Sequence, residues 1–287
     1  MRTMTKLAEI VRELTEKAEN EVKTIIQSEE ELAEYLTFCS KFYHYSSRNQ
    51  LLIYHQRPGA IACLGFSEMK KRGLHLRKGS KAIQILAPMI VKEEDEQTQE
   101  EIEKVKGYKY VNVFDITQTD LAPEDYPKHF PNKPYIFKYD FNIEDMQSAI
   151  QTLANDMHVT IEIDTNDSVG AARGAYYPQL ERILLNAGNT ESQNIAVQFH
   201  ELAHAHLHNF RKKPKSNKAI KETQAEMVAH IVSKYFGMDT TEKSIHYISS
   251  WSNKLKAIPD KELPNVFSEI QNTAKYFIMK ISKAIEQ

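Results

Sequence analysis

Cysteine, tryptophan and glycine are scarce in this chain of 287 residues, which holds two Cys, one Trp and nine Gly. Two cysteines, Cys39 and Cys63, cannot build a disulfide framework and form no Cys-x-x-Cys pair, so a stapled secreted scaffold is excluded and a reducing compartment is expected. Nine Gly and ten Pro exclude collagen-like and low-complexity classes. Long apolar runs are missing as well. The most apolar stretch, 82–91, is broken by Gln84 and Pro88 and falls far short of the roughly 20 residues that span a bilayer. The segment from Met1 to Val11 carries Arg2, Lys6 and Glu9 and lacks the apolar stretch of a secretory leader. The expectation is a cytoplasmic protein with no membrane partner. Net charge is small too: 37 basic and 39 acidic side chains leave −2, which taken as an average argues against a nucleic-acid binder.

What is present points elsewhere. Twelve Phe, fourteen Tyr and a hydrophobic fraction of 41% are enough to fill a core, so wholesale disorder is excluded. The length suggests two domains. The charge is unevenly spread. Residues 1–40 carry five basic and nine acidic groups, whereas residues 41–90 carry nine basic groups against one acid, Glu68. Near-neutrality therefore hides a basic segment between acidic ones.

Apolar spacing predicts helices over 4–28, 32–43 and 48–56, then strands at 60–64, 82–87 and 108–114, with a short helix 67–72 closed by Gly73. The acidic stretch 92–106 reads as a solvated connection between the last two strands. Pro123, Pro127, Pro131 and Pro134 mark a semi-rigid linker. Beyond it come a helix 143–157, strands 159–163, 174–177 and 182–186, and a long helix opening near Thr190. There Thr190-Glu191-Ser192-Gln193 fits a capping box. Helices follow over 218–236, closed by Gly237, over 241–256 and over 260–285. The expected architecture is α+β in two domains, 1–120 and 141–287, joined by a linker over 121–140.

The sharpest motif is His200-Glu201-Leu202-Ala203-His204 within the capped helix. The four-residue spacing puts both imidazoles on one face, where they can hold one zinc ion. Glu201, turned around the helix from His200, is placed to act as general base on a water at the metal. A catalytic zinc wants a third protein ligand, and Glu222 and Glu226 lie four apart on the next helix. Glu222 is read as the ligand and Glu226 as the group holding a ligand imidazole; the reverse assignment uses the same spacing. Leu207 and Phe210 stand where the metzincin extension needs Gly and His, which excludes that subclass. His208, two turns from His200, could approach the metal but reads as a surface residue, and His206 faces elsewhere and reads as solvated.

The run Gly174-Ala175-Tyr176-Tyr177, Arg182-Ile183-Leu184-Leu185-Asn186, the HExxH and Glu222-x-x-Ala225-Glu226 resembles the ImmA/IrrE group of zincin-like metallopeptidases over about 145–240. The resemblance implies a small mixed sheet on the HExxH helix, substrate backbone along an edge strand, and Glu222 as third ligand. At Glu226 many members carry Asn. Tyr176 or Tyr177 is a candidate donor to the oxyanion, with His230 a further one; the tyrosines read equally well as sheet packing.

In the basic segment, cations interleave with Phe38, Phe42, Tyr43, Tyr45, Tyr54 and Phe66, as a single-stranded nucleic-acid site requires. Tyr43-x-Tyr45-Ser46-x-Arg48-Asn49-Gln50-Leu51-Leu52, Gly73-x-x-x-Arg77-Lys78-Gly79-Ser80-Lys81 and Val113-Phe114-Asp115-Ile116-Thr117-Gln118-Thr119 resemble the N-terminal domain of ArdC-type antirestriction proteins over about 30–120. That resemblance implies single-stranded DNA binding, with Tyr43, Tyr45, Arg48, Asn49, Lys71, Arg72, Arg77, Lys78 and Lys81 as candidate contacts. The order of modules is similar to ArdC and LtrC-like proteins of conjugative elements. The combined expectation is a DNA-binding zinc metallopeptidase of a mobile element acting on an unidentified protein, for instance a repressor or a restriction component. The alternative is a non-proteolytic DNA-protection protein with a structural or quiescent metal site.

Overall fold

The computed structural model describes residues 2–94, 101–130, 142–209, 218–238 and 253–286. The chain is α+β and divides into two compact units: Met1–Thr24 with Arg48–Tyr135, and Ile25–Ser47 with Ile136–Gln287.

In the first unit, helix α1 (Arg2–Ile25) buries Leu14, Ala18 and Val22, which at a spacing of four residues lie on one face. Helix α3 (Ser47–Gln56) buries Leu51, Leu52, Ile53 and Tyr54. A three-stranded antiparallel sheet runs in the order β1 (Cys63–Gly65), β3 (Glu101–Asp115), β2 (Ile83–Glu94). The acidic stretch expected to be a loop is mostly strand. Pairing continues from Ile83↔Val113 out to Glu94↔Glu101, with a bulge at Met89/Ile90. This two-stranded arm has no buried face to impose apolar alternation. It is held by its ladder and by cross-strand charge, as between Lys104 Nζ and Glu93 Oε2 at 3.3 Å.

Asp115 organises the unit's centre. Its buried carboxylate accepts the backbone N–H groups of Ile61 and Ala62, both at 2.8 Å, and of Thr117 at 3.2 Å, and lies 3.4 Å from Arg57 Nε. The conspicuous 113–119 motif is thus a structural hub. Around it Ala62, Met69, Leu74, Ile116, Tyr126 and Phe130 form one core. Tyr126 lies in the short helix α5 (Tyr126–His129), and Phe130 follows it. The first part of the proline-rich stretch is therefore packed into this unit rather than extended, because two aromatic anchors sit among its prolines. Its remainder, 131–141, falls outside the described residues.

In the second unit, helix α2 (Glu29–Lys41) is capped by Ser28 and buries Leu32, Tyr35, Leu36, Phe38 and Cys39. It packs with the later helices: Tyr35 stacks near Phe267, and its hydroxyl meets Gln271. Helix α6 (Ile143–Asp156) leads to a mixed sheet ordered β4 (Thr160–Asp164), β6 (Arg182–Asn186), β5 (Gly174–Tyr177). β4 and β6 run parallel, β5 and β6 antiparallel. Central β6 buries Ile183, Leu184 and Leu185, while β5 is an edge. The helices α7 (Glu191–His208), α8 (Lys218–Tyr235) and α9 (Leu263–Ile285) complete the unit. Most of the expected helix 241–256 lies outside the described residues. Both cysteines are buried and neither is in a disulfide.

Candidate metal centre

The site begins with the start of α7. Thr190 accepts from the Gln193 backbone N–H at 3.2 Å, and Gln193 Oε1 accepts from the Thr190 backbone N–H at 3.0 Å. This reciprocal cap fixes where the helix begins and so which residues face α8. Ile195, Phe199, Leu202 and Ala203 anchor the helix in the core. Gly174 lets β5 approach it closely: a Cβ there would lie 2.6 Å from Val197 Cγ1 and 3.1 Å from the Leu184 carbonyl.

His200, His204 and Glu222 converge between α7 and α8. His200 Nε2 lies 3.1 Å from His204 Nε2, and Glu222 Oε2 lies 3.6 Å from the first and 3.5 Å from the second. Donors roughly 2.0–2.1 Å from a shared tetrahedral centre are about 3.3 Å apart. Two imidazole nitrogens and one carboxylate oxygen at these separations fit a divalent transition-metal ion.

Electrostatics follow from crowding. Glu222 is held down to about 2, first by its hydrogen bond to His200 and then by the charge of His204, against some burial. Burial pushes His204 down to about 4, and neighbouring His200 adds to it. His200 feels the same burial, but its hydrogen bond to Glu222 and the charges of Glu226 and Glu201 outweigh it and raise the ring. Burial raises Glu201 against the pull of His200 and of the backbone N–H of Tyr176. Glu226 is also raised by burial. Its Oε1 is 3.8 Å from His200 Nδ1, a charge contact longer than a hydrogen bond. The link from Tyr176 to Glu201 runs through its main chain and ties this carboxylate to edge strand β5. The Tyr177 hydroxyl turns to the Ser168 carbonyl, at 3.4 Å.

His208 is not a surface group. Its Nδ1 is 3.1 Å from His204 Nδ1, its Nε2 is 3.0 Å from Gln224 Oε1, and Gln224 Nε2 donates to Glu269 Oε2 at 2.7 Å. One set of directions satisfies every link. With His204 Nε2 turned to the ligand cluster, its Nδ1–H donates to His208, His208 Nε2–H donates to Gln224, and Gln224 donates to Glu269. The relay ties the His204 imidazole to α8 and α9. His206, also expected in solvent, stacks on Tyr276 at 5.1 Å. Among these residues only the histidines carried a signal in the sequence, through their spacings of two and four residues from His204.

The DNA candidates are scattered. Tyr43 and Tyr45 belong to the second unit, where Tyr43 packs edge-on to Tyr235 at 5.1 Å and Tyr45 tilts against Phe42. Asn49, 9% exposed, caps strand β2: its amide donates to the Leu86 carbonyl at 2.8 Å and accepts from the Leu86 N–H at 2.9 Å. Arg72 is engaged by Glu68, by the His129 carbonyl and by the Phe130 ring. Arg48, Lys71, Arg77, Lys78 and Lys81 are exposed. The last three lie on a turn whose Gly79 has φ +89° and which Gln118 holds through the Lys81 carbonyl and the Arg77 N–H.

Residues 4–114 match the protein-family model for the N-terminal domain of anti-restriction factor ArdC, and residues 139–232 match that of a putative metallopeptidase family. An uncharacterized protein of Bacillus anthracis, pXO2-81, is 32% identical over all of this chain, which spans 54% of that relative's length. The metal-free crystal structure of antirestriction protein ArdC from the R388 plasmid matches 94% of this chain and 97% of its own, at TM-score 0.55 and 17% identity, a likeness of fold. The Mn(II)-bound structure of that protein matches 84% of this chain and 85% of its own, at TM-score 0.48 and 15% identity. No helix among the described residues is long and apolar enough to cross a membrane.

Proposed function

The chain is an ArdC-like protein, an ArdC N-terminal domain followed by a domain matching a metallopeptidase family, and from this we propose a function for each half. Residues 141–287 form a metal-dependent peptidase, and residues 1–120 bind single-stranded DNA. The observation that carries the first is the triangle of His200 Nε2, His204 Nε2 and Glu222 Oε2 beside a buried Glu201. These three residues would hold the ion, with zinc the metal this donor set suits. When bound, it supplies Lewis acidity, polarising a scissile carbonyl and acidifying a water.

The chain's own residues do the rest. Among the described residues β5 is paired along one side, with β6, and an extended peptide would lie along the other. Glu201 takes a proton from the attacking water onto its carboxylate and returns it to the leaving amine. Its raised proton affinity suits both duties, and the Tyr176 N–H keeps the carboxylate oriented. Glu226 holds charge against His200. DNA binding is supported by the exposed cations Arg48, Lys71, Arg77, Lys78 and Lys81 and by the matched ArdC N-terminal domain.

The purified protein should hold about one divalent ion per chain. Glu201→Gln should keep that ion and lose hydrolysis of casein or a fluorogenic peptide library by a hundredfold or more. Hydrolysis unchanged in the variant would refute the role of Glu201. The second reading, DNA protection without proteolysis, is favoured by the matched domain of an anti-restriction factor. It is the outcome if the wild type binds metal and DNA but cleaves nothing, with or without DNA.

A further inference from the structure

The solvent side of the β2–β3 arm carries a row of rings. Tyr108 is 45% and Tyr110 36% exposed, and they occupy alternate positions of β3, so both project from one face about 7 Å apart along the strand. Phe114, two pairs further along, shares that face. Phe66, 59% exposed at the start of helix α4 (Phe66–Lys71), meets it at 6.5 Å between ring centroids. Large exposed aromatics in a row on an open sheet are costly in water and mark a contact surface.

Charge points to what covers it. Lys106 lies at the bulge that precedes the two tyrosines, whereas Lys109, between them in sequence, leaves the opposite face of the strand; both are exposed with no ion pair among the described residues. Helix α4 brings Lys70 and Lys71 beside Phe66. No acid lies between Lys104 and Phe114 in sequence. Sign reverses at the far end of the arm, where Glu93 and Glu103 are exposed and Lys104 is already neutralised by Glu93.

We propose that this aromatic face, Tyr108 and Tyr110 with Phe66 at its base, is a base-stacking surface for single-stranded DNA. The proposal rests on the DNA-binding reading of the N-terminal module and gives it a site, distinct from the tyrosines of the 43–49 segment. Bases stack on the rings in a sequence-tolerant way, and Lys106 at one end and Lys70 near Phe66 at the other meet phosphates. The acidic tip repels the backbone and ends the site.

The test uses the full chain and a fluorescein-labelled oligo-dT of twelve nucleotides, with anisotropy read across a salt series. Tyr108→Ala with Tyr110→Ala should weaken binding at least tenfold and leave the salt slope unchanged, since phosphate contacts remain. Tyr108→Phe with Tyr110→Phe should bind as the wild type does, because the rings persist. Lys70→Gln with Lys106→Gln should lower the slope by about 0.7 per lysine. Wild-type and Tyr→Ala proteins that bind equally, as they would if this face served a protein partner, overturn the proposal and leave DNA binding standing. A wild type that does not bind the oligonucleotide overturns both.

Discussion

A ligand imidazole is only as well placed as the hydrogen bond on its other nitrogen. For His204 that bond begins the relay through His208 and Gln224 to Glu269, with links of 3.1, 3.0 and 2.7 Å. Removing the middle of such a chain frees the ring to turn and lowers its basicity. Gln224→Leu should therefore raise the metal dissociation constant ten- to a hundredfold, read by competition with a chromogenic chelator, while circular dichroism stays unchanged. An unaltered constant would show the relay to be incidental. The sequence displayed the two histidines and their intervening glutamate plainly, because one helical turn relates them. It could not display Gln224 or Glu269, which join the site only through packing of three helices. His208 was misjudged for the same reason: its partner is sixteen residues away on another helix.

At the level of elements, local signals worked where a buried face or a cap enforced them. The ranges of β5 and β6 were legible as short strand-forming runs joined at Pro178-Gln179, and the start of α7 from its capping box. The outer arm of β2 and β3 was not, because a solvated two-stranded ribbon imposes no apolar period, and its charges resemble those of a loop. The contact between β5 and α7 gives a prediction. Gly174→Ala places a methyl against Val197 and the Leu184 carbonyl, and overpacking of this kind costs about 1–3 kcal/mol. Denaturant unfolding should register that loss. Adding Val197→Ala should recover part of it, since the side-chain clash is relieved and the carbonyl contact is not.

For the whole molecule, stability should depend on pH through buried histidines. Burial pushes His230 down to about 4, with Lys234 adding to it, and His204 is likewise at about 4. An unfolded chain protonates both near 6.5, so between pH 6.5 and 4 it binds more protons than the folded one. Stability is full above that window and falls on acidification through it. Raised Glu201 and Glu226 act with opposite sign, losing stability as pH rises through their folded values. Thermal melts of metal-free protein should show a falling Tm below pH 6.5. His230→Gln should flatten the fall by on the order of 3 kcal/mol, the contribution expected of a group so deeply buried. A pH profile unchanged by the substitution would refute this account. Two domains were visible in the charge distribution, the prolines and the motifs. That residues 25–47 pack with the later helices was not, since an amphipathic helix does not declare which apolar surface it will meet.

That last arrangement bears on synthesis. A ribosome delivers α2 long before α8 and α9, and in the meantime Tyr35 lacks its native partners Phe267 and Gln271. The second unit cannot close until nearly the whole polypeptide has emerged, whereas the remainder of the first can settle earlier. A nascent chain stalled between the two stages therefore presents a sticky helix, and the cell's holding chaperones should engage it there. Severing the chain once in the 131–141 stretch would not yield two separate modules, because the strand of polypeptide passes between them more than once.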